Sequence, residues 1–358
     1  MEKPIQKYFL AANSCQGFYS AFTDNYSVTD GWQVTLIKGG PGTGKSSFMR
    51  HLAAHGIKRG EETVLCACSS DPQSLDGVIF PERKKIVLDA TAPHTVEPRC
   101  VGVCENIVDL GAFWSREKLQ NARAEILTEA AQNKHFHAAA ARHLAAAGQL
   151  MNDRYKIAAA ATDTDKVFSF AKRLAKQYLP PVRGNAVGRE WVRFIEGTTP
   201  KGILSYPKTV TEHFDEIMML TDSRGSVSAP LMAKLREEAL RAGYDILTLK
   251  NPFFPETRID HLLIPERSLA FVTESAYLRF DTDARRIHDR RFMSAAKLQP
   301  ARARLTADKR LARELLREAC RRLALAKESH DRLERCYVDA MDFPALTAFA
   351  EDFTRKFF

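Results

Sequence analysis

Residues 39–47 read Gly-Gly-Pro-Gly-Thr-Gly-Lys-Ser-Ser, and Gly39, Gly44, Lys45 and Ser46 satisfy the spacing G-x-x-x-x-G-K-[ST]. The chemistry this spacing serves is the wrapping of a polyphosphate. Glycines let the backbone turn its N–H groups inward around an anion. A helix that starts just after them points its positive end at the same place. Lys45 supplies a point charge for the β- and γ-phosphates, and the Ser46 hydroxyl is a ligand for Mg2+. Gly39, Gly40, Pro41, Gly42, Thr43, Gly44, Lys45, Ser46 and Ser47 are therefore the candidate ATP-binding set.

Such a loop needs an acidic partner for the metal at the end of a nearby strand. Ile86-Val-Leu-Asp89 is an apolar run ending in aspartate, which makes Asp89, with Ser46, the candidate Mg2+ ligand pair. Ala90 follows Asp89, where many ATPases of this kind place a glutamate base, so the water-activating group must come from elsewhere. The candidates are Asp71 and Asp76, in the loop Ser69-Ser-Asp-Pro-Gln-Ser-Leu-Asp-Gly77, and His94 in Ala90-Thr-Ala-Pro-His94. Asp-Pro and Asp-Gly also form turns readily, which is the structural alternative for both aspartates.

These residues need a strand before the loop and a helix after it. Val34, Leu36 and Ile37 form a buried-strand run, and Phe48, Met49 and Leu52 give the next segment an apolar helical face. The expected order in the first half is a strand at Tyr8–Ala12, a strand at Val34–Lys38, a helix at Gly44–Ala54, then strands at Thr63–Cys68 and Lys85–Asp89. The same order repeats as strands Val192–Glu196 and Ile217–Thr221, a helix Ala229–Ala242, and strands Ile246–Lys250 and Leu269–Thr273. Strands alternating with helices predict a parallel α/β sheet.

The repetition extends to residue identities. Val78-Ile-Phe-Pro-Glu-Arg83 matches Leu262-Leu-Ile-Pro-Glu-Arg267 at an offset of 184, and Asp76 matches Asp260. Gly42, Met49, Leu52 and Gly60 match Gly225, Met232, Leu235 and Gly243 at 183, and Phe9, Gly17 and Ser20 match Phe194, Gly202 and Ser205 at 185. The chain reads as a diverged tandem duplication: 1–182 with the intact loop and a helical extension, and 186–358 with a degenerate loop and a basic helical extension. The boundary falls near Pro180-Pro-Val-Arg-Gly-Asn185. In the second half Ser228 stands at the position of Lys45, Ala229 at that of Ser46 and Thr273 at that of Asp89, while Asp222 brings negative charge to the loop. That half keeps the fold without the usual means of holding a nucleotide. Arg224 and Arg267 are candidates to reach the other half, with surface ion pairing as the plainer reading.

The whole fold class follows as an α/β P-loop NTPase with a parallel sheet, tandemly duplicated, each half followed by long amphipathic helices. The sequence also resembles a bacterial family of tandem P-loop ATPases. The resemblance is carried by Gly39–Ser46, Cys68-Ser-Ser-Asp-Pro72, Ser74-Leu-Asp-Gly77, Pro81-Glu82, Asp89-Ala-Thr-Ala-Pro-His94 and the second Pro265-Glu266. It covers nearly the whole chain in layout and is specific over about residues 7–115. It implies ATP binding and hydrolysis. The family pattern has a working loop in both halves, and this chain departs from it in the second.

Composition bounds the rest. The chain has 358 residues, 45% hydrophobic and 27% charged, enough to bury a core without disulfide staples. Seven cysteines is an odd count and not a disulfide framework, which with the absence of an apolar leader predicts a cytoplasmic protein. Cys66 and Cys68 read as strand cysteines rather than zinc ligands, and His135, His137 and His143 as surface residues of an alanine-rich helix. No apolar run predicts a membrane span. The net charge is +9, and residues 279–335 carry 17 Lys/Arg against 9 Asp/Glu. Arg310, Arg313, Arg317, Arg321 and Arg322 line one face of the basic helix 302–335, either as a solvated face paired with Glu314 and Glu318 or as a contact for nucleic-acid phosphates. No N-K-x-D element is placed to read guanine, so ATP is expected over GTP. Three function classes result: a Mg2+-dependent ATPase moving its halves on a macromolecular partner, an ATP-dependent phosphotransferase with Asp71 or Asp76 as base, and a non-hydrolysing nucleotide sensor.

Overall fold

In β4 (Gln33–Lys38) all four residues from Val34 to Ile37 are buried, so the strand needs cover on both sides. Leu36 and Ile37 point into different apolar clusters, which fits the period-two alternation of a strand with helices on one face and a second sheet on the other. The computed structural model describes residues 5–182 and 187–358. Within the boundary segment Arg183, Gly184 and Asn185 lie outside the described residues, as do Ala186 and Met1–Pro4.

The first half runs β1 (Gln6–Phe9), β2 (Ala11–Ser14), β3 (Gly17–Ser20), β4, α1 (Lys45–Lys58), β5 (Val64–Ala67), β6 (Leu75–Phe80), β7 (Lys85–Asp89), β8 (Glu105–Asp109), α2 (Arg116–Asn121), α3 (Arg123–Ala160) and α4 (Thr164–Tyr178). The second runs β9 (Glu190–Arg193), β10 (Glu196–Thr199), β11 (Gly202–Ser205), α5 (Lys208–Thr211), β12 (Glu216–Thr221), α6 (Ser228–Arg241), β13 (Ile246–Lys250), β14 (Ile259–Ile264), β15 (Leu269–Glu274), β16 (Arg285–His288), α7 (Ala295–Leu298), α8 (Arg302–Val338) and α9 (Phe343–Phe357). Each half builds a six-stranded sheet. Their orders are β1-β5-β6-β7-β4-β8 and β9-β13-β14-β15-β12-β16, the same order strand for strand. A two-stranded hairpin, β2-β3 or β10-β11, recurs at the same point of each half.

The sheets are mixed, not parallel. β6 runs antiparallel to both β5 and β7, and β14 to both β13 and β15. The expected order left Leu75–Phe80 and Ile259–Ile264 unassigned, with Asp71 and Asp76 placed in a loop ending at Gly77. In the fold Pro81–Arg83 is a single 3-10 turn between antiparallel neighbours, a short connection that needs no crossover helix.

The inner faces of the two sheets share one core, with Val34, Leu36, Ile86 and Leu88 clustering with Met219, Leu249, Leu263 and Val272. The outer faces are covered by helices, and here the halves exchange elements. α4 belongs to the first half by sequence, yet Val167, Phe170, Ala171 and Leu174 pack with Leu231, Met232 and Leu235 of α6 on the second sheet. α9 comes from the second half and buries Leu346, Ala350 and Phe357 against Phe48, Met49 and Leu52 of α1 on the first sheet. Phe349 and Phe353 complete that contact, with ring centroids 6.1 and 5.2 Å from Phe48. Between these exchanges α3 and α8 lie antiparallel along each other: Asn133 donates to the carbonyl of Ala326, Arg332 pairs with Glu129 and Arg304 with Asp153. At 37 residues α8 is about 55 Å long, enough to run from one half to the other. Among the described residues no helix is long and apolar enough to cross a membrane.

Candidate functional site

β4 delivers the chain to the glycine-rich loop at the sheet's carboxyl edge, and α1 carries it away. Gly39, Gly42 and Gly44 have φ of 157°, 69° and 82°, in the region that side chains with a Cβ rarely adopt. Lys45 folds back over the loop: its Nζ donates to the carbonyls of Gly39 at 2.9 Å and Gly40 at 2.7 Å, and lies 3.7 Å from Asp89 Oδ2. Thr43, buried, donates to the Gly40 carbonyl. The Ser46 hydroxyl accepts from the Leu75 amide of β6 at 3.0 Å, and Ser47 is exposed on the first turn. Gly44 caps α1 without a side chain, and among the described residues no side-chain acceptor bonds the amides of Lys45, Ser46 and Ser47. The other long helices that start at a loop differ: Asp163 caps α4 and Asp342 caps α9.

The candidate acids divide into two groups. Asp89 ends β7 beside Lys45, and its Oδ1 accepts from the Thr91 amide at 2.9 Å. Asp76 does not sit in a loop. It lies in β6, nearly opposite Asp89 across an antiparallel pair, with its side chain buried. His94 Nε2 is 3.7 Å from its Oδ1, and Cys68 lies in the same cluster. Burial raises the pKa of Asp76, with the His94 interaction opposing. His94 is itself buried and stacks on Phe22 at 5.0 Å. Asp71 stays in the loop, accepting from the Ser74 hydroxyl and lying 3.5 Å from Lys327 of α8. The site thus brings together Lys45 with Asp89, and Asp76 with His94, while Asp71 faces the other half's helix. Cys66 is buried in β5, where burial pushes its thiol up to about 12. Cys100 is exposed, and among the described residues no cluster of possible metal ligands includes two cysteines.

The sequence reading missed what covers the loop. A Cβ on Gly40 would fall 2.6 Å from the Tyr337 ring, and one on Gly42 2.6 Å from the Glu334 carbonyl. The C-terminal turns of α8 therefore press on the loop, and Leu346 of α9 does the same at Gly44. His330 and Glu334 lie on this stretch 3.9 Å apart, and the buried His330 Nδ1 has no hydrogen-bond partner. Burial lowers the His330 pKa, with the Glu334 carboxylate opposing and the Lys327 charge adding to the effect. The available signal was the set of polar residues Lys327, His330 and Glu334 recurring on one face of a helix otherwise read for its arginines. Those arginines are mostly exposed, and Glu318 pairs with Arg321 and Arg322 as a solvated face would.

The equivalent loop of the second half shows what this backbone does with an anion. Asp222 aligns with Gly39, and its buried carboxylate accepts five hydrogen bonds, from the amides of Arg224, Gly225, Val227 and Ser228 and from the Ser228 hydroxyl. The expected repulsion of phosphate is thus stronger than charge alone: the loop amides are already satisfied by a carboxylate of the chain. Arg224 pairs with Asp289 at 3.3 Å, within its own half. Arg267 precedes β15, at the edge of the second sheet opposite the loop. Neither reaches the first-half site.

Two more carboxyls, the buried Glu196 and the half-buried Asp260, line one pocket with Asp222. Burial, and the charge of Asp260, raise the pKa of Glu196 to about 8, and burial raises that of Asp260 to about 6. Both exceed ordinary carboxylate values, so the folded state holds protons that the unfolded chain releases near pH 4.5. These carboxyls contribute stability that falls as pH rises from about 4.5 to about 8, while the buried His261, lowered to about 3, contributes in the opposite sense up to about 6.5, so the net fall is expected between about 6.5 and 8. Glu196→Gln should flatten that slope in denaturant titrations across the same window, and an unchanged slope would remove Glu196 as its source.

No protein-family model, curated protein or solved structure matches the chain.

Proposed function

We propose that the first half binds ATP with Mg2+ at residues 39–47 and hydrolyses it, and that the α8–α9 segment of the second half responds to the bound state. The observation that carries this reading is the contrast between the two loops. A left-handed glycine stands at the matched position of each loop, Gly42 and Gly225, each helix starts at the matched residue, Lys45 and Ser228, and in the second loop the amides converge on a carboxylate. In the first a lysine replaces that acid chemistry and Gly39 stands where Asp222 would intrude. A cradle built for an anion, relieved of its internal anion and given a cation, suits an external phosphate.

Lys45 would exchange the carbonyls of Gly39 and Gly40 for phosphate oxygens. Ser46 and Asp89 fit Mg2+ as hard oxygen donors, since each engages only part of its lone-pair capacity within the chain. Bound Mg2+ supplies charge neutralisation on the phosphates. Asp76 already lies beside the buried His94, and Asp71 beside Lys327 of α8. Glu334, with His330 beside it, is the group we assign to orient the attacking water, contributed by the half that lacks its own working loop.

Glu334→Gln is expected to lower the rate of phosphate release by about 100-fold or more, the lower end of a general-base contribution, while leaving ATP affinity within about threefold. Titration with ATP and GTP and assay of free phosphate check both. Unchanged turnover would remove Glu334 from the role. Transfer of the phosphoryl group to an acceptor would favour the phosphotransferase, and binding without turnover the sensor.

A further inference from the structure

α8 meets the second half's loop with its other end. Lys309 and Arg313 stand beside Thr221, Asp222 and Arg224 at a cleft of about 720 Å3 on the carboxyl edge of the second sheet. Six cationic side chains line it, Arg224, Arg279, Arg286, Arg290, Lys309 and Arg313, against the three carboxylates of Asp222, Glu274 and Asp289. The carboxylates are already engaged. Asp222 holds the loop amides, Asp289 pairs with Arg224, and Glu274 lies 3.9 Å from Arg286 and accepts from the Phe280 amide. Arg279, Arg290, Lys309 and Arg313 are left with no ion pair to a described residue. Like charges held around one concave space repel, and low-dielectric walls strengthen the field they set up there.

We propose that this cleft binds a small molecule carrying two or more phosphate groups, held by guanidinium and ammonium groups instead of loop amides. Asp222 excludes the usual mode, because the amides that would cradle a phosphate are bonded to its carboxylate. Guanidinium forks suit phosphate oxygens without any backbone cradle. Met293 and Leu298 add an apolar wall for the part of the ligand that is not phosphate. The cleft occupies the place in the second half that the glycine-rich loop occupies in the first, at the carboxyl ends of the strands where open α/β sheets take ligands. The proposal is independent of nucleotide binding by the first half.

The test is calorimetric titration of the full chain with inorganic tripolyphosphate, first in a Lys45→Ala background that disables the first loop. One site per chain is expected to remain. Adding Arg279→Ala and Arg313→Ala should weaken it by roughly tenfold or more, and raising the salt concentration should weaken it further. Arg279→Lys with Arg313→Lys keeps the charge and should retain intermediate affinity, which separates ligand contact from a folding defect. Absence of binding to the Lys45→Ala protein at about 1 mM tripolyphosphate would overturn the proposal. So would equal affinity after both arginines are removed. Binding of a single-stranded oligonucleotide that depends on these arginines, with none of tripolyphosphate, would replace it with a nucleic-acid contact. Failure of the first-half reading shows separately, as equal ATP binding by the wild-type and Lys45→Ala proteins.

Discussion

Lys45→Ala is expected to weaken ATP binding at the first loop by about 100-fold or more and to abolish phosphate release. The factor corresponds to about 2.7 kcal/mol, within the range of a lost charge-assisted contact to phosphate. The ammonium group contacts the Gly39 and Gly40 carbonyls and lies close to Asp89, so it is already poised over the loop. Little of that arrangement holds the fold together. Two hydrogen bonds from the ammonium to loop carbonyls contribute about 1.5 kcal/mol each, the low end for a charged donor, since Lys45 is part-exposed and water can take their place. The variant should therefore melt within a few degrees of wild type, which makes lost binding interpretable. Calorimetric titration with ATP and Mg2+ measures the effect at the first loop. An affinity unchanged by the substitution would show that the loop does not hold the phosphates.

The second large effect is on stability and falls in the other half. Asp222→Ala should cost about 3–5 kcal/mol, because it strands several buried N–H donors that a carboxylate now satisfies. Val227 and Ser228, two of those donors, are themselves buried at the start of α6, so water cannot readily replace the lost acceptor. Asp222→Asn should cost nearly as much. Its amide keeps one oxygen for Arg224 and Gly225 or for Val227 and Ser228, and turns an NH2 group toward the other pair. Denaturant unfolding of the two variants checks both values. A loss below about 0.5 kcal/mol, the scatter of ordinary surface substitutions, would mean that the carboxylate does not organise the loop.

Much of this molecule is legible in local spacing. β4, β13 and β7 lie within a residue of where their apolar runs place them, because a buried strand must be continuously apolar and its ends are marked by polar residues. The tandem offsets anticipated two halves with the same order of elements along the chain, since matched residues at a nearly constant spacing serve matched positions in a fold. Lys45 and Asp89 were expected together and stand 3.7 Å apart, because the ends of neighbouring parallel strands meet at one edge. β6 was missed for a local reason as well: Asp-Gly reads as a turn, while pairing on both sides made Leu75–Phe80 a strand. Asp76 went with it, from an expected loop to a buried position facing His94.

What the sequence determined by itself is therefore the strands and helix that flank the glycine-rich turn, their repetition and the residues of that turn, all consequences of period and steric preference over a few residues. The tertiary structure decided who covers whom. Nothing local distinguishes an amphipathic helix that returns to its own sheet from one that crosses to the other, since both present the same apolar stripe. α4 and α9 cross, and the crossing sets Glu334 and Tyr337 of α8 against the loop of the first half. The role of Asp222 was likewise invisible in its charge. A carboxylate beside a loop repels an anion, whereas a carboxylate folded into the loop takes the anion's place, and only the path of the backbone separates the two.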